Sequence, residues 1–147
     1  GEYNIKGFLD DKADALDGVR GKFPPILGAV EAYEIQEDDV FICALGDSYI
    51  RKKYVEIIEN KGGLFISIIS PLAIINPTAV IGKGTIVSCH SVISDNVEIG
   101  NHCLINNFVT LGHDVKVGNF VSIEPYCFFG GYCEIGNLAS IHVNNTS

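Results

Sequence analysis

Four histidines occur, at positions 90, 102, 113 and 142, and His113 has the neighbours that chemistry would need. It follows Gly112 and precedes Asp114, in a slot that other repeats fill with Asn101, Asn119 and Asn137. A neutral imidazole accepts a proton near pH 7, and an adjacent carboxylate fixes its tautomer and raises its basicity. Such a pair can deprotonate an amine or hydroxyl as it attacks an acyl group. Asp95 holds the same slot one coil earlier. No nucleophile–base pairing stands out, which favours direct attack over a covalent intermediate. His90 and His102 are read as outward, mid-wall residues that stack or pack at an interface. Zinc is disfavoured: His102 and His113 are eleven residues apart with no second histidine near either, and the cysteine spacing fits no zinc motif.

The element that must position His113 is a six-residue beat. From Ile75 it lands on Ile81, Val87, Ile93, Ile99, Ile105, Leu111, Val117, Ile123, Phe129, Ile135 and Ile141. Glycine follows the beat at 82, 100, 112, 118, 130 and 136. Two residues before the beat stands a small or β-branched residue, as at Ala79, Thr85, Val97, Val109, Val115 and Val121. Helices and hairpins cannot use this period. A triangular solenoid of parallel strands can, with the beat residue inward and the small residue in the corner beside it. The glycines are expected to supply the unusual backbone angles of the corners. Three hexads close a coil, so residues 18 apart stack at roughly 4.8 Å. Phe108, Phe120, Tyr126, Phe128 and Tyr132 then face outward, and exposed aromatics at that density imply a covering partner.

The first seventy residues read as partial α/β: a short strand over Tyr3–Leu9, buried strands over Val40–Leu45 and Leu64–Ile69, and a helix between them. Ser48 is the expected N-cap, Ile50, Tyr54, Ile57 and Ile58 the apolar face, and Gly62 the stop. The expected units are 1–70, a partial sugar-nucleotide-type domain, and 71–147, a β-helix domain. Gly46 alone is a weak phosphate signal, and Gly82-Lys83-Gly84-Thr85 lacks the setting of a P-loop. The chain starts without Met and stops soon after the beat at Ile141, so segments are expected to be missing at both ends.

Of 147 residues, 47% are apolar, and the net charge of −8 disfavours nucleic acid or anionic lipid. No apolar run is long enough for a membrane span. Five cysteines with no zinc motif suit a reducing cytoplasm; Cys103, Cys127 and Cys133 fall on the small inward position. The sequon at Asn144-Asn145-Thr146 is therefore read as without consequence.

Leu111-Gly112-His113-Asp114-Val115-Lys116-Val117-Gly118-Asn119-Phe120 resembles the catalytic stretch of hexapeptide acetyltransferases of the sialic acid O-acetyltransferase-like family, which includes bacterial nucleotide-4-amino-sugar N-acetyltransferases. Gly7-Phe8-Leu9-Asp10-Asp11, Pro25-Ile26-Leu27-Gly28 and Pro71 through Ile81 carry the resemblance into the N-terminal part. It implies a left-handed parallel β-helix preceded by a partial Rossmann-like domain. It implies His113 as general base, Asp114 as the residue that raises its basicity, and Asn106 as a substrate contact. Acetyl-CoA would lie between the prisms of a homotrimer, with Ser122 and the Gly131 backbone near its acetyl end and no metal. The glycine-rich N-terminal turn of the family is absent, and Ser122 stands where many members have His. The expected activity is N-acetylation of a nucleotide-linked amino sugar in the cytoplasm. Sugar O-acetylation uses the same parts, and a non-catalytic trimeric scaffold is the reading from another class.

Overall fold

The computed structural model describes residues 3–143; the sequon at 144–146 lies outside them. Thirteen two-residue strands wind into a three-walled parallel solenoid. The first wall stacks β5 (Ile68–Ile69), β8 (Ile86–Val87), β11 (Leu104–Ile105), β14 (Ser122–Ile123) and β17 (Ser140–Ile141). The second stacks β6 (Ile74–Ile75), β9 (Val92–Ile93), β12 (Thr110–Leu111) and β15 (Phe128–Phe129). The third stacks β7 (Val80–Ile81), β10 (Glu98–Ile99), β13 (Lys116–Val117) and β16 (Glu134–Ile135). Every pairing has a register of 18, as in Ile105 with Ile123 and Leu111 with Ile93. The beat residues and the small residues two before them fill the interior: Ile93, Val97, Ile99, Cys103, Ile105, Val109, Leu111, Val115, Val121 and Ile123 are all at most 3% exposed.

Small polar side chains in this core are satisfied by a repeating bond to the carbonyl 15 residues on. Thr85 Oγ1 donates to Gly100 O (2.9 Å), Ser91 Oγ to Asn106 O (2.7 Å) and Cys103 Sγ to Gly118 O (3.0 Å). A buried hydroxyl without such a partner would carry a desolvation cost of roughly 1–3 kcal/mol.

The corners correct the expectation about glycine. Positive φ does not fall on the glycines that follow the beat but two residues later: His90, Asn96, His102, Phe108, Asp114, Phe120, Tyr126, Tyr132 and Leu138 all have φ between 56° and 65°. Each such residue opposes its own Cβ sterics by about 1–2 kcal/mol. Backbone bonds hold them there, for example His102 N to Lys83 O (2.8 Å) and Phe120 N to Asn101 O (2.9 Å). The glycine after the beat is needed for closeness instead. At the corner after the third wall, Asn119 Oδ1 accepts from Asn101 N (2.8 Å) and Asn137 Oδ1 from Asn119 N (2.7 Å). A Cβ on Gly100 would lie 2.5 Å from Asn119 Oδ1 and from Gly118 O. His90 and His102 therefore sit at corners, not in the middle of a wall.

The N-terminal strands are shorter than the apolar runs suggest and form two separate parallel ladders: β1 (Phe8–Leu9) with β2 (Ile26–Gly28), and β3 (Val40–Phe41) with β4 (Leu64–Phe65). They do not join into one doubly wound sheet. The run Leu64–Ile69 is divided between β4 and β5, the first rung of the solenoid, with Leu64 and Ile69 exposed. Helix α1 (Ser48–Asn60) is capped by Asp47, whose Oδ1 accepts from Ile50 N (2.9 Å), rather than by Ser48. Its buried face is Ser48, Arg51, Val55 and Ile58, so the face expected from Ile50 and Tyr54 is displaced. Gly62 ends it with φ 85°, and Gly63 N closes on Ile58 O (2.9 Å).

That displaced face packs on the solenoid through Arg51, which is fully buried. Its Nε donates to His102 O (2.8 Å), and its Nη1 to Leu45 O (2.6 Å), Gly46 O (3.2 Å) and Ser122 Oγ (2.9 Å). Beside it His102 is buried between Phe65 and Phe120, and its Nε2 lies 3.3 Å from Glu59 Oε1, which Lys83 also pairs (2.6 Å).

Candidate active site

His113 and Asp114 stand at the corner after the second wall, on the turn between β12 and β13. His113 Nδ1 lies 2.9 Å from Asp114 Oδ2. A carboxylate only accepts, so Nδ1 carries the proton and, in the neutral ring, Nε2 keeps its lone pair. The left-handed conformation of Asp114 (φ 59°) brings adjacent side chains together. Asn96 Nδ2, one coil below, makes a long bond to the other oxygen of Asp114 (3.4 Å). The imidazole is 56% exposed, so solvent and ligand reach it.

Gly131, one coil above, is what leaves space for this ring. A Cβ there would lie 2.6 Å from both Cε1 and Nε2 of His113. Tyr132 meets the ring edge-on at 5.1 Å. The asparagine ladder of the third corner has no counterpart at this corner, where the same column reads Pro77, Asp95, His113, Gly131. Among the described residues no acceptor takes the amides of His113 or Gly131. The corner therefore carries an imidazole and, on the residue stacked above it, an amide with no acceptor among the described residues; a proton acceptor and an N–H donor are the groups that acyl transfer to an amine or hydroxyl uses.

Asn106 and Ser122 are not beside them. Asn106 stands at the corner after the first wall, seven residues and one wall from His113. At a strand rise of roughly 3.3 Å this separation is on the order of 15–20 Å. Its Nδ2 donates to Ile123 O (2.9 Å). Ser122 is buried, with its hydroxyl donating to Gly46 O (2.8 Å) and accepting from Arg51. Both of these residues line a cavity of about 350 Å³ with Gly46, Asp47, Glu124 and His142. Arg51, the place of Tyr132 against the His113 ring and the His142–Glu124 contact (2.9 Å) are not evident from the sequence. Their signal was positional only: counting 18 from Asp114 gives Tyr132, and from Glu124 gives His142.

Of the outward aromatics, Phe108, Tyr126, Phe128 and Tyr132 are exposed, whereas Phe120 is half-buried against His102. His90, Phe108 and Tyr126 form a continuous stack with centroids 5.1 and 4.9 Å apart. Among the described residues no cluster of three His, Cys, Asp or Glu side chains could hold a metal ion.

The architecture that results is a parallel β-helix of hexapeptide repeats carrying a His–Asp pair at one corner. Residues 78–113 and 96–131 match the family described as bacterial transferase hexapeptide (six repeats), and residues 1–58 match the PglD N-terminal domain. Two solved structures share the fold. A mutant of perosamine N-acetyltransferase from Caulobacter crescentus, in complex with CoA and GDP-perosamine, is 22% identical over 80% of this chain and 57% of that one, with a TM-score of 0.75. WeeI from Acinetobacter baumannii AYE is 23% identical over 88% of this chain and 60% of that one, with a TM-score of 0.77. The chain thus spans about three fifths of the length of these structures. No curated protein sequence matches it. Residues 1–58 thus carry a PglD-type N-terminal domain and residues 78–131 bacterial transferase hexapeptide repeats, and the solved structures share the fold.

Proposed function

We propose that this chain acts in acetyl-CoA-dependent N-acetylation of a nucleotide-linked amino sugar. The observation that carries the reading is the His113 imidazole, held by Asp114 and seated against Gly131 one coil above. His113 Nε2 takes the amine proton as the nitrogen bonds to the thioester carbonyl carbon. The Gly131 N–H faces the oxygen that gains charge; one such donor is typically worth about 3–4 kcal/mol of barrier. As the C–S bond breaks, His113 returns the proton to the departing thiolate. Asp114 keeps the ring in one tautomer throughout. Acetyl-CoA is the acyl donor, and no metal takes part. The complex of the Caulobacter crescentus enzyme with CoA and GDP-perosamine supports this substrate class by likeness of fold.

The separation of Asn106 from His113 within one chain leads us to a site completed between copies, with Asn106 of one protomer facing His113 of the next. A left-handed homotrimer that buries the Phe108–Tyr126 stack fits this arrangement. Ser122, clamped by Arg51, keeps a structural part and is left out of the acetyl contacts. The division near residue 70 and a cytoplasmic location belong to the same reading; among the described residues no helix is long and apolar enough to cross a membrane. A hydroxyl acceptor would use the same groups. The test is His113→Ala: acetyl transfer should fall at least 100-fold while acetyl-CoA still raises the melting temperature. Turnover within a few-fold of the parent would reject the base.

A further inference from the structure

The residue after the beat is glycine at four rungs of the third corner, Gly82, Gly100, Gly118 and Gly136. At the first corner the same slot is never glycine: it reads Ser70, Ser88, Asn106, Glu124, His142. This is a continuous polar column rising along one edge of the prism. Its upper three members, together with Asp47 from the start of α1, line the 350 Å³ cavity between the helix and the first wall. Glu124 and His142 are stacked one coil apart and joined at 2.9 Å between Oε1 and Nδ1. The His142 ring, then the Val143 amide, hold the Glu124 carboxyl below its usual range. Both groups remain accessible, at 44% and 70% exposure.

The cavity is rich in acceptors. Asp47 uses Oδ1 on Ile50 N, and among the described residues its Oδ2 has no partner. Asn106 spends its NH₂ on Ile123 O, and its Oδ1 likewise has no partner among the described residues. In its neutral form, with Nδ1–H on Glu124, His142 presents a lone pair at Nε2. Two carboxylates, an amide oxygen and an imidazole lone pair repel a phosphate and suit a ligand dense in hydroxyl donors.

We propose that Glu124 and His142, with Asn106 below them and Asp47 across the cavity, form a positioning site for the amino-sugar ring of the acceptor. The proposal rests on the acetyl-transfer reading and adds two residues to it. Glu124 and Asp47 accept from hydroxyls of the ring and leave its amine, as the free base, to His113; His142 aligns the Glu124 carboxylate and takes a further hydroxyl. The proton chemistry stays with His113, one wall away and contributed by a neighbouring copy. The nucleotide is held elsewhere, because two carboxylates exclude its phosphates from this cavity.

The test uses the full chain, ¹⁵N-labelled at histidine, and its Glu124→Gln and His142→Gln variants. A UDP-linked 4-amino sugar should shift the His142 ring nitrogens in the parent, and UDP alone should leave them in place. Glu124→Gln should raise the acceptor KM about tenfold with the acetyl-CoA KM within twofold, and His142→Gln should do the same more weakly. Ring signals unmoved by the sugar nucleotide, or moved equally by UDP, overturn the site. So does an unchanged acceptor KM in Glu124→Gln. A sugar-dependent ring shift without any acetyl transfer would sustain the site and reject the acetyl-transfer reading, so the two fail separately.

Discussion

Gly131→Ala isolates the positioning of His113 from the presence of its imidazole. The added Cβ would lie 2.6 Å from Cε1 and Nε2 and 3.1 Å from Cδ2, where 3.4–4 Å is ordinary contact. The ring must therefore swing by roughly 1 Å or more, and a misplacement of that size costs about 10²-fold in rate. The backbone at 131 is not in the positive-φ region, and the residue is exposed, so the fold should tolerate the methyl. Gly130→Ala is the matched control: a Cβ there meets nothing within 4 Å. The assay is CoA thiol release under saturating acetyl-CoA, paired with melting curves. The expected pattern is a loss of about 100-fold in kcat for Gly131→Ala and less than twofold for Gly130→Ala, with both melting temperatures near the parent. Equal rates for the two variants would refute the idea that the ring's seat against residue 131 governs turnover.

Arg51→Met should destabilise the chain by about 2–3 kcal/mol, because two buried acceptors, His102 O and Ser122 Oγ, and the half-buried Leu45 O lose a charged donor at once; urea unfolding measures it, and hydrogen exchange should speed first near Leu45, Gly46 and His102. The third prediction concerns pH. Burial lowers the His102 pKa from its ordinary value of 6.5, with Glu59 opposing that shift. Below 6.5 the unfolded chain binds a proton that the folded ring resists, so stability should fall as pH drops through 6.5 toward the folded value. Glu59, lowered chiefly by its bond to Lys83, adds a loss only below its ordinary 4.5. His102→Gln should flatten the part of the stability curve near pH 6 and leave the acid limb.

The walls were legible because the beat is a geometric statement: an interior residue every six, three to a coil, fixes a register of 18, and Ile105 stacks on Ile123 and Leu111 on Ile93 accordingly. His113 and Asp114 were legible because adjacency needs no tertiary knowledge. The reason for the glycines was not, since crowding of Gly100 by Asn119 exists only once two rungs are stacked. The helix face was misjudged because hydrophobicity favours Ile50 and Tyr54, whereas the buried centre is a guanidinium whose acceptors, His102 O and Ser122 Oγ, lie 51 and 71 residues away. Asn106 was placed with His113 by resemblance; the hexad count alone puts them at different corners. For the same reason Glu124 and His142 went unnoticed, although 18 residues separate them.

The register of 18 also restricts how such a chain can change in length. Deleting or duplicating 18 residues removes or adds a storey and leaves every column in phase. Six residues turn everything beyond the insertion by one wall, which would carry the 113 imidazole to a different edge of the prism from the groups below it. A number that is not a multiple of six takes the core side chains out of phase. Length variation in this half of the molecule is therefore quantised, and the storeys that carry Asp95, His113 and Gly131 can be moved only as a block.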